Sequence, residues 1–196
     1  KKETVCSVCG VVDSGRIPEI RSIYVREKHY YTGKEIKPEV DISTRADIGK
    51  NEYEIIYPEK AVDVGSYKLT VVFSGRYEGT HEFTFNILPG QIKNLRYTLS
   101  AKGITFTWDK NKEATAYKIG VSINGGEAEY HEVSADTLKW FVPSVYDGGE
   151  LEIDKYCVFT VTAVTKLSDG TVMEGLQIRQ DVKFTPEQKT YKAKEG

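Results

Sequence analysis

Apolar and polar side chains alternate along most of this chain with a period of two. Tyr67, Leu69, Val71 and Phe73 fall on one face of an extended segment, with Lys68 and Thr70 between them. Phe83, Phe85 and Ile87 repeat the pattern, and Tyr53 to Tyr57 alternates before stopping at Pro58. Such alternation over several residues predicts strands with one buried face. Gly65-Ser66, Ser74-Gly75 and Glu78-Gly79 punctuate these runs as turns.

A second series begins just after Pro89-Gly90. Ile104, Phe106 and Trp108 alternate, and Asp109-Lys110-Asn111-Lys112 follows as a polar turn. Tyr117, Ile119, Val121 and Ile123 come next and end at Asn124-Gly125-Gly126, a strong hairpin signal. Leu138, Trp140 and Val142 predict another strand, closed by Pro143. Cys157, Phe159, Val161 and Ala163 form another inward-facing set. Ser168-Asp169-Gly170 marks a tight turn before Val172, Ile178, Val182 and Phe184. Seven short strands at this spacing predict a β-sandwich, and no long segment carries helical periodicity. The expected organisation is a cysteine-containing segment over 1–20, one sandwich over 21–89, another over 90–185, and a polar, Lys-rich tail over 186–196.

Composition agrees with sheet: Tyr occurs 13 times and Met once among 196 residues. Basic and acidic side chains, 27 and 29, are mixed for a net charge of −2. No basic stripe exists to neutralise phosphates, so nucleic acid is not an expected partner. No apolar run approaches the roughly 20 residues that span a bilayer as a helix. The chain opens at Lys1 with neither Met nor a signal sequence, so it is expected to be a piece of a larger protein. Three cysteines, Cys6, Cys9 and Cys157, cannot all pair with one another.

Particular residues resemble known families. Tyr31-Thr32-Gly33-Lys34-Glu35-Ile36-Lys37-Pro38, followed by Tyr53, Tyr57, Val64-Gly65-Ser66-Tyr67 and Tyr77-Glu78-Gly79-Thr80, resembles bacterial Ig-like repeats of large Gram-positive surface proteins. Residues 91–185 look like a fibronectin type III domain. Trp108 stands at that family's core tryptophan, Tyr117 at the aromatic of the next strand, and Leu151 with Val161-Thr162-Ala163 at its sixth-strand signature. The family places a tyrosine six residues after that leucine, where this chain has Cys157 beside Tyr156. Cys6-Ser7-Val8-Cys9-Gly10 with Ile17-Pro18-Glu19-Ile20 is similar to short cysteine repeats of the same surface proteins. Together the resemblances imply an all-β chain of two tandem antiparallel sandwiches, Ig-like then fibronectin type III-like, behind a short cysteine-containing segment. They also imply a location outside the cell, secreted or attached to the wall.

The candidate chemistry is sparse. Cys6 and Cys9, with the spacing of half a zinc knuckle, are the candidate metal ligands; no second pair completes the site, and the competing readings are a leftover repeat or a local disulfide. Cys157, alternating with Phe159 and Val161, reads as a buried hydrophobe with no histidine placed to activate it. The acidic residues lack the order of a calcium loop, and no phosphate loop or nucleophile elbow is present. No cofactor and no catalysis are expected.

Exposed aromatics on a sandwich can stack on sugars. Tyr24, Tyr30 and Tyr31 qualify in the first sandwich; Tyr130, Trp140 and Tyr146 qualify in the second. Trp140 is followed by Phe141, so one of the two must turn away from the core. The competing reading has these rings capping sandwich edges. The expected role is therefore a monomeric, non-catalytic spacer holding other domains of the parent chain. The alternative is a module for a glycan or a host surface protein, with Trp140, Tyr146 and Tyr130 as its ligand-binding residues.

Overall fold

The computed structural model describes residues 4–5, 12–13, 19–45, 47–146 and 149–185. Cys6, Cys9 and the tail over 186–196 lie outside them. Among the described residues every regular element is a β-strand, and the strands pair antiparallel. The chain divides into two compact units, Lys1–His29 with Gly33–Ile87, and Tyr30–Thr32 with Leu88–Gly196.

The first unit holds β1 (Thr4–Val5), β2 (Val12–Asp13), β3 (Ile20–Val25), β4 (Lys28–Tyr30), β5 (Val40–Thr44), β6 (Tyr53–Ile56), β7 (Gly65–Phe73) and β8 (Gly79–Leu88). β1 pairs with β2, β3 pairs with β5, and a four-stranded sheet runs in the order β4-β8-β7-β6. The alternation in β7 and β8 does what it predicts: Leu69, Val71, Phe73, Phe85 and Ile87 are buried, while Lys68 faces solvent. Tyr67 sits opposite Phe85 in the ladder, and their rings stack at 5.7 Å. Tyr77 follows β7 in a turn and is fully buried, closing one end of this core.

The second unit holds β9 (Arg96–Ser100), β10 (Gly103–Thr107), β11 (Ala116–Ile123), β12 (Glu129–Ser134), β13 (Lys139–Pro143), β14 (Val145–Tyr146), β15 (Gly149–Glu150), β16 (Tyr156–Lys166), β17 (Val172–Glu174) and β18 (Ile178–Lys183). One sheet is ordered β13-β10-β9. The other runs β12-β11-β16, with β17 and β18 sharing the far side of β16. Phe106 of the first sheet lies flat on Phe159 of the second, ring centroids 4.2 Å apart and 7° from parallel. Trp108 meets Tyr117 edge-on at 5.6 Å. Two facing sheets with interlocked aromatic faces make a sandwich, and this strand order is fibronectin type III-like.

The hairpin at Asn124-Gly125 forms because both residues accept positive φ, 57° and 80°, which turns the chain with the twist of its strands. Gly126 N–H closes it onto the Ile123 carbonyl at 2.9 Å. The polar turn expected over Asp109–Lys112 is more than a solvated loop. Asn111 is buried, its backbone N–H donates to the Tyr117 hydroxyl at 2.8 Å, and its amide donates to the Gly90 carbonyl at 2.7 Å. Its side-chain oxygen also accepts from the Glu113 N–H at 3.1 Å. A chain reversal covered by the sandwich must satisfy its backbone groups internally, and an asparagine does so from both ends of its amide.

Candidate functional site

β12 and β13 are edge strands of the two facing sheets, and a cleft of about 490 Å³ opens between them. Val121 and Val142 form its floor, Trp140 and His131 its wall, and Glu127 and Glu129 stand at its mouth. Strand alternation places these groups. His131 and Val133 face inward from β12, and Trp140 and Val142 face inward from β13. The Trp140 ring is half-buried against the core, its centroid 5.0 Å from that of His131. The Glu129 carboxylate is 3.9 Å from His131 Nε2. No lysine or arginine lines the cleft.

Phe141, the neighbour of Trp140, is the one that turns outward, 46% exposed. Tyr130 also points the other way from Trp140, onto the outer face of its sheet. Its ladder partner is Gly120, and a Cβ on that glycine would sit 2.8 Å from Tyr130 Cε1 and 2.5 Å from Thr160 Oγ1. The tyrosine ring therefore lies across the strand in the space a side chain would fill, which keeps Gly120 buried. Lys118 Nζ hovers 5.9 Å from the ring centroid and pairs with Glu174 at 3.3 Å. Beside the ring is a shallow depression of about 290 Å³ reaching Ser122, Thr160 and Arg179. Asp181 holds the Arg179 guanidinium through two bonds of 2.6 and 2.9 Å.

The residues marked from sequence are thus not brought together. Trp140 and Tyr130 occupy opposite faces, because they alternate out of phase with respect to the core. The side chain of Tyr146 lies outside the described set, as do Cys6 and Cys9 entirely. Tyr24 on β3 and Tyr30 at the end of β4 are exposed.

Other reactive-looking groups have structural surroundings. Cys157 is buried in the sandwich core, and burial pushes its thiol up to about 11. It occupies the inward position while the Tyr156 ring beside it turns to solvent. The corner is tied by buried Ser144. Its hydroxyl donates to the Ala101 carbonyl at 3.0 Å, its N–H donates to the Lys102 carbonyl, and its carbonyl accepts from the Leu151 N–H. The indole N–H of Trp108 is buried without a hydrogen-bond partner among the described residues.

In the first unit, Glu52 receives Arg76 in a fork of 2.7 and 2.8 Å and the Gly49 N–H at 2.9 Å. The Arg76 hydrogen bonds, with the Gly49 bond next, hold its carboxyl down at about 2. This pair joins the loop before β6 to the turn after β7. Sequence reasoning missed it because its partners are distant along the chain. Gly120 carried a legible signal, an isolated glycine inside an alternating strand, which marks a close approach.

No protein-family model matches the chain, and no curated protein matches it. Among solved structures it is similar to the crystal structure of chicken CNTN1 FN1-FN3 domains, at 11% identity, over 93% of this chain and 76% of that chain, with a TM-score of 0.35. The fold assignment rests on the strand order and packing described above.

Proposed function

We propose that this chain is a non-catalytic spacer and interaction segment of a secreted or cell-surface bacterial protein, built to position other domains of its parent. The observation that supports it most directly is where the chemically capable side chains lie. Cys157 is sealed in the core with its thiol protonated, Tyr117 and Asn111 tie a chain reversal, and Tyr130 covers Gly120. Each is used to hold a sandwich together. No helix of the described residues is long and apolar enough to cross a membrane. The extracellular and bacterial parts of the reading come from the repeat-like residues Tyr31 to Pro38 and the sandwich order.

Two measurements on the parent protein test it. An antibody against this chain should label intact cells, and protease shaving should remove the label. Labelling only after lysis would sink the extracellular reading. Replacing residues 21–185 with an unrelated pair of sandwiches of similar length should restore the parent's surface function, whereas deleting them should not.

A further inference from the structure

The cleft beside Trp140 lies next to a strand edge with unused backbone groups. Asn124 N–H bonds to the Tyr156 carbonyl at 3.1 Å, in register with the β11–β16 ladder. Antiparallel alternation then directs Lys118, Gly120 and Ser122 toward β16, and Ile119 and Val121 toward β12. On β12, Glu129, His131 and Val133 consequently face β11, while the N–H and C=O groups of Tyr130 and Glu132 face the open side.

The opposing edge is blunted. Trp108 N–H bonds to the Leu138 carbonyl and Ser144 N–H to the Lys102 carbonyl, which places Trp140 and Val142 toward β10. Lys139, Phe141 and Pro143 are left on β13's free side. Pro143 has no N–H, and a charged lysine marks the other end, as protected edges commonly do. Of the two strands that flank the cleft, β12 is the one able to accept a partner.

A strand added beside β12 would send every second side chain into the space walled by Trp140 and His131. Charge decides what those side chains are. Glu127 and Glu129 stand at the mouth and no cation lines it, so an aliphatic stem ending in a positive head fits both the rings and the carboxylates.

We propose that the β12 edge and its cleft capture an extended basic segment of a partner protein by strand addition. Backbone bonds to Tyr130 and Glu132 would fix the register, with lysine or arginine side chains over Trp140 and beside Glu127 and Glu129. This rests on reading the chain as an interaction segment and names the partner's chemistry.

The test uses the full chain and a capped peptide of alternating threonine and arginine, about nine residues long, to exceed the usual strand length. Calorimetry should show saturable binding that the threonine–glutamate counterpart lacks. E127Q/E129Q, two substitutions at exposed positions, should weaken it by about tenfold or more. E132P removes an edge N–H that β11 does not use, and should abolish binding while circular dichroism and the melting temperature stay near wild type. Equal binding of the acidic peptide, or unchanged affinity in E127Q/E129Q, overturns the proposal. So does binding only to neutral oligosaccharides, or an E132P-sensitive dimer in sedimentation that excludes the peptide. None of these results bears on cell-surface labelling, so failure here is separable from failure of the spacer reading.

Discussion

Gly120 sits in the middle of a central strand, where glycine ordinarily costs stability, and the structure shows what it permits. A methyl group there collides with Thr160 Oγ1 and the Tyr130 ring. We therefore expect G120A to destabilise the second unit by about 1–3 kcal/mol, the range for overpacking. The loss should shrink in a T160A background, read as the urea midpoint of each single and double variant. Tyr117 supplies a second residue-level test. Its hydroxyl accepts the buried N–H of Asn111, so Tyr117→Phe leaves that donor unpaired and should cost about 1–3 kcal/mol. Tyr97→Phe, at a 42%-exposed ring, should change little by comparison. Glu52 titrates. Its folded-state value of about 2 lies below the ordinary 4.5 because Arg76 and the Gly49 N–H bond its charged form. A depressed carboxylate contributes stability that is present above the unfolded value and lost as pH falls through the folded one. Stability of the first unit should therefore drop between about pH 4.5 and pH 2, and E52Q should flatten that part of the profile in melting curves.

Among the elements, β7, β8 and the first half of β16 were legible because one face is dry and the other wetter, whereas β11 and the second half of β16 are covered on both faces. Period two then writes itself into the residues, as in Leu69, Val71 and Phe73, or Cys157, Phe159 and Val161. The turn after β11 was legible for a different reason, since Asn-Gly is the pair that tolerates two successive positive φ values. The region after β16 was harder. The chain leaves β16 through β17, and β18 then takes the same side of β16 farther along. Val172 ends up half exposed, although it is apolar and follows a turn. β13 illustrates how little a pair of adjacent aromatics says by itself. Trp140 and Phe141 are both plausible core residues, and only the β10 register decides that Trp140 faces inward. Truncating the central contact between the sheets, Phe106→Ala, should cost about 3–5 kcal/mol in denaturant unfolding, as for other large core deletions.

At the scale of the whole molecule, the chemistry of Cys157 reports on the second unit. With its thiol buried and held protonated, alkylation near pH 8 should track unfolding of the sandwich. Peptide mapping by mass spectrometry, which separates Cys157 from Cys6 and Cys9, would check this. Rapid labelling of native Cys157 would mean that the core opens readily. The sequence alone determined that the chain is all-β, where its long strands lie and which faces they bury, because alternation is a local consequence of a half-buried pleat. It also determined that Cys157 belongs to a core. Tertiary structure alone decided the surface. Gly120 and Tyr130 meet across two strands, Glu52 and Arg76 meet across a loop and a turn, and Trp140 and Tyr130 are set on opposite faces by a register that no local pattern encodes. The cleft beside β12 belongs to this second group, since it exists only where two sheets present their edges to the same side.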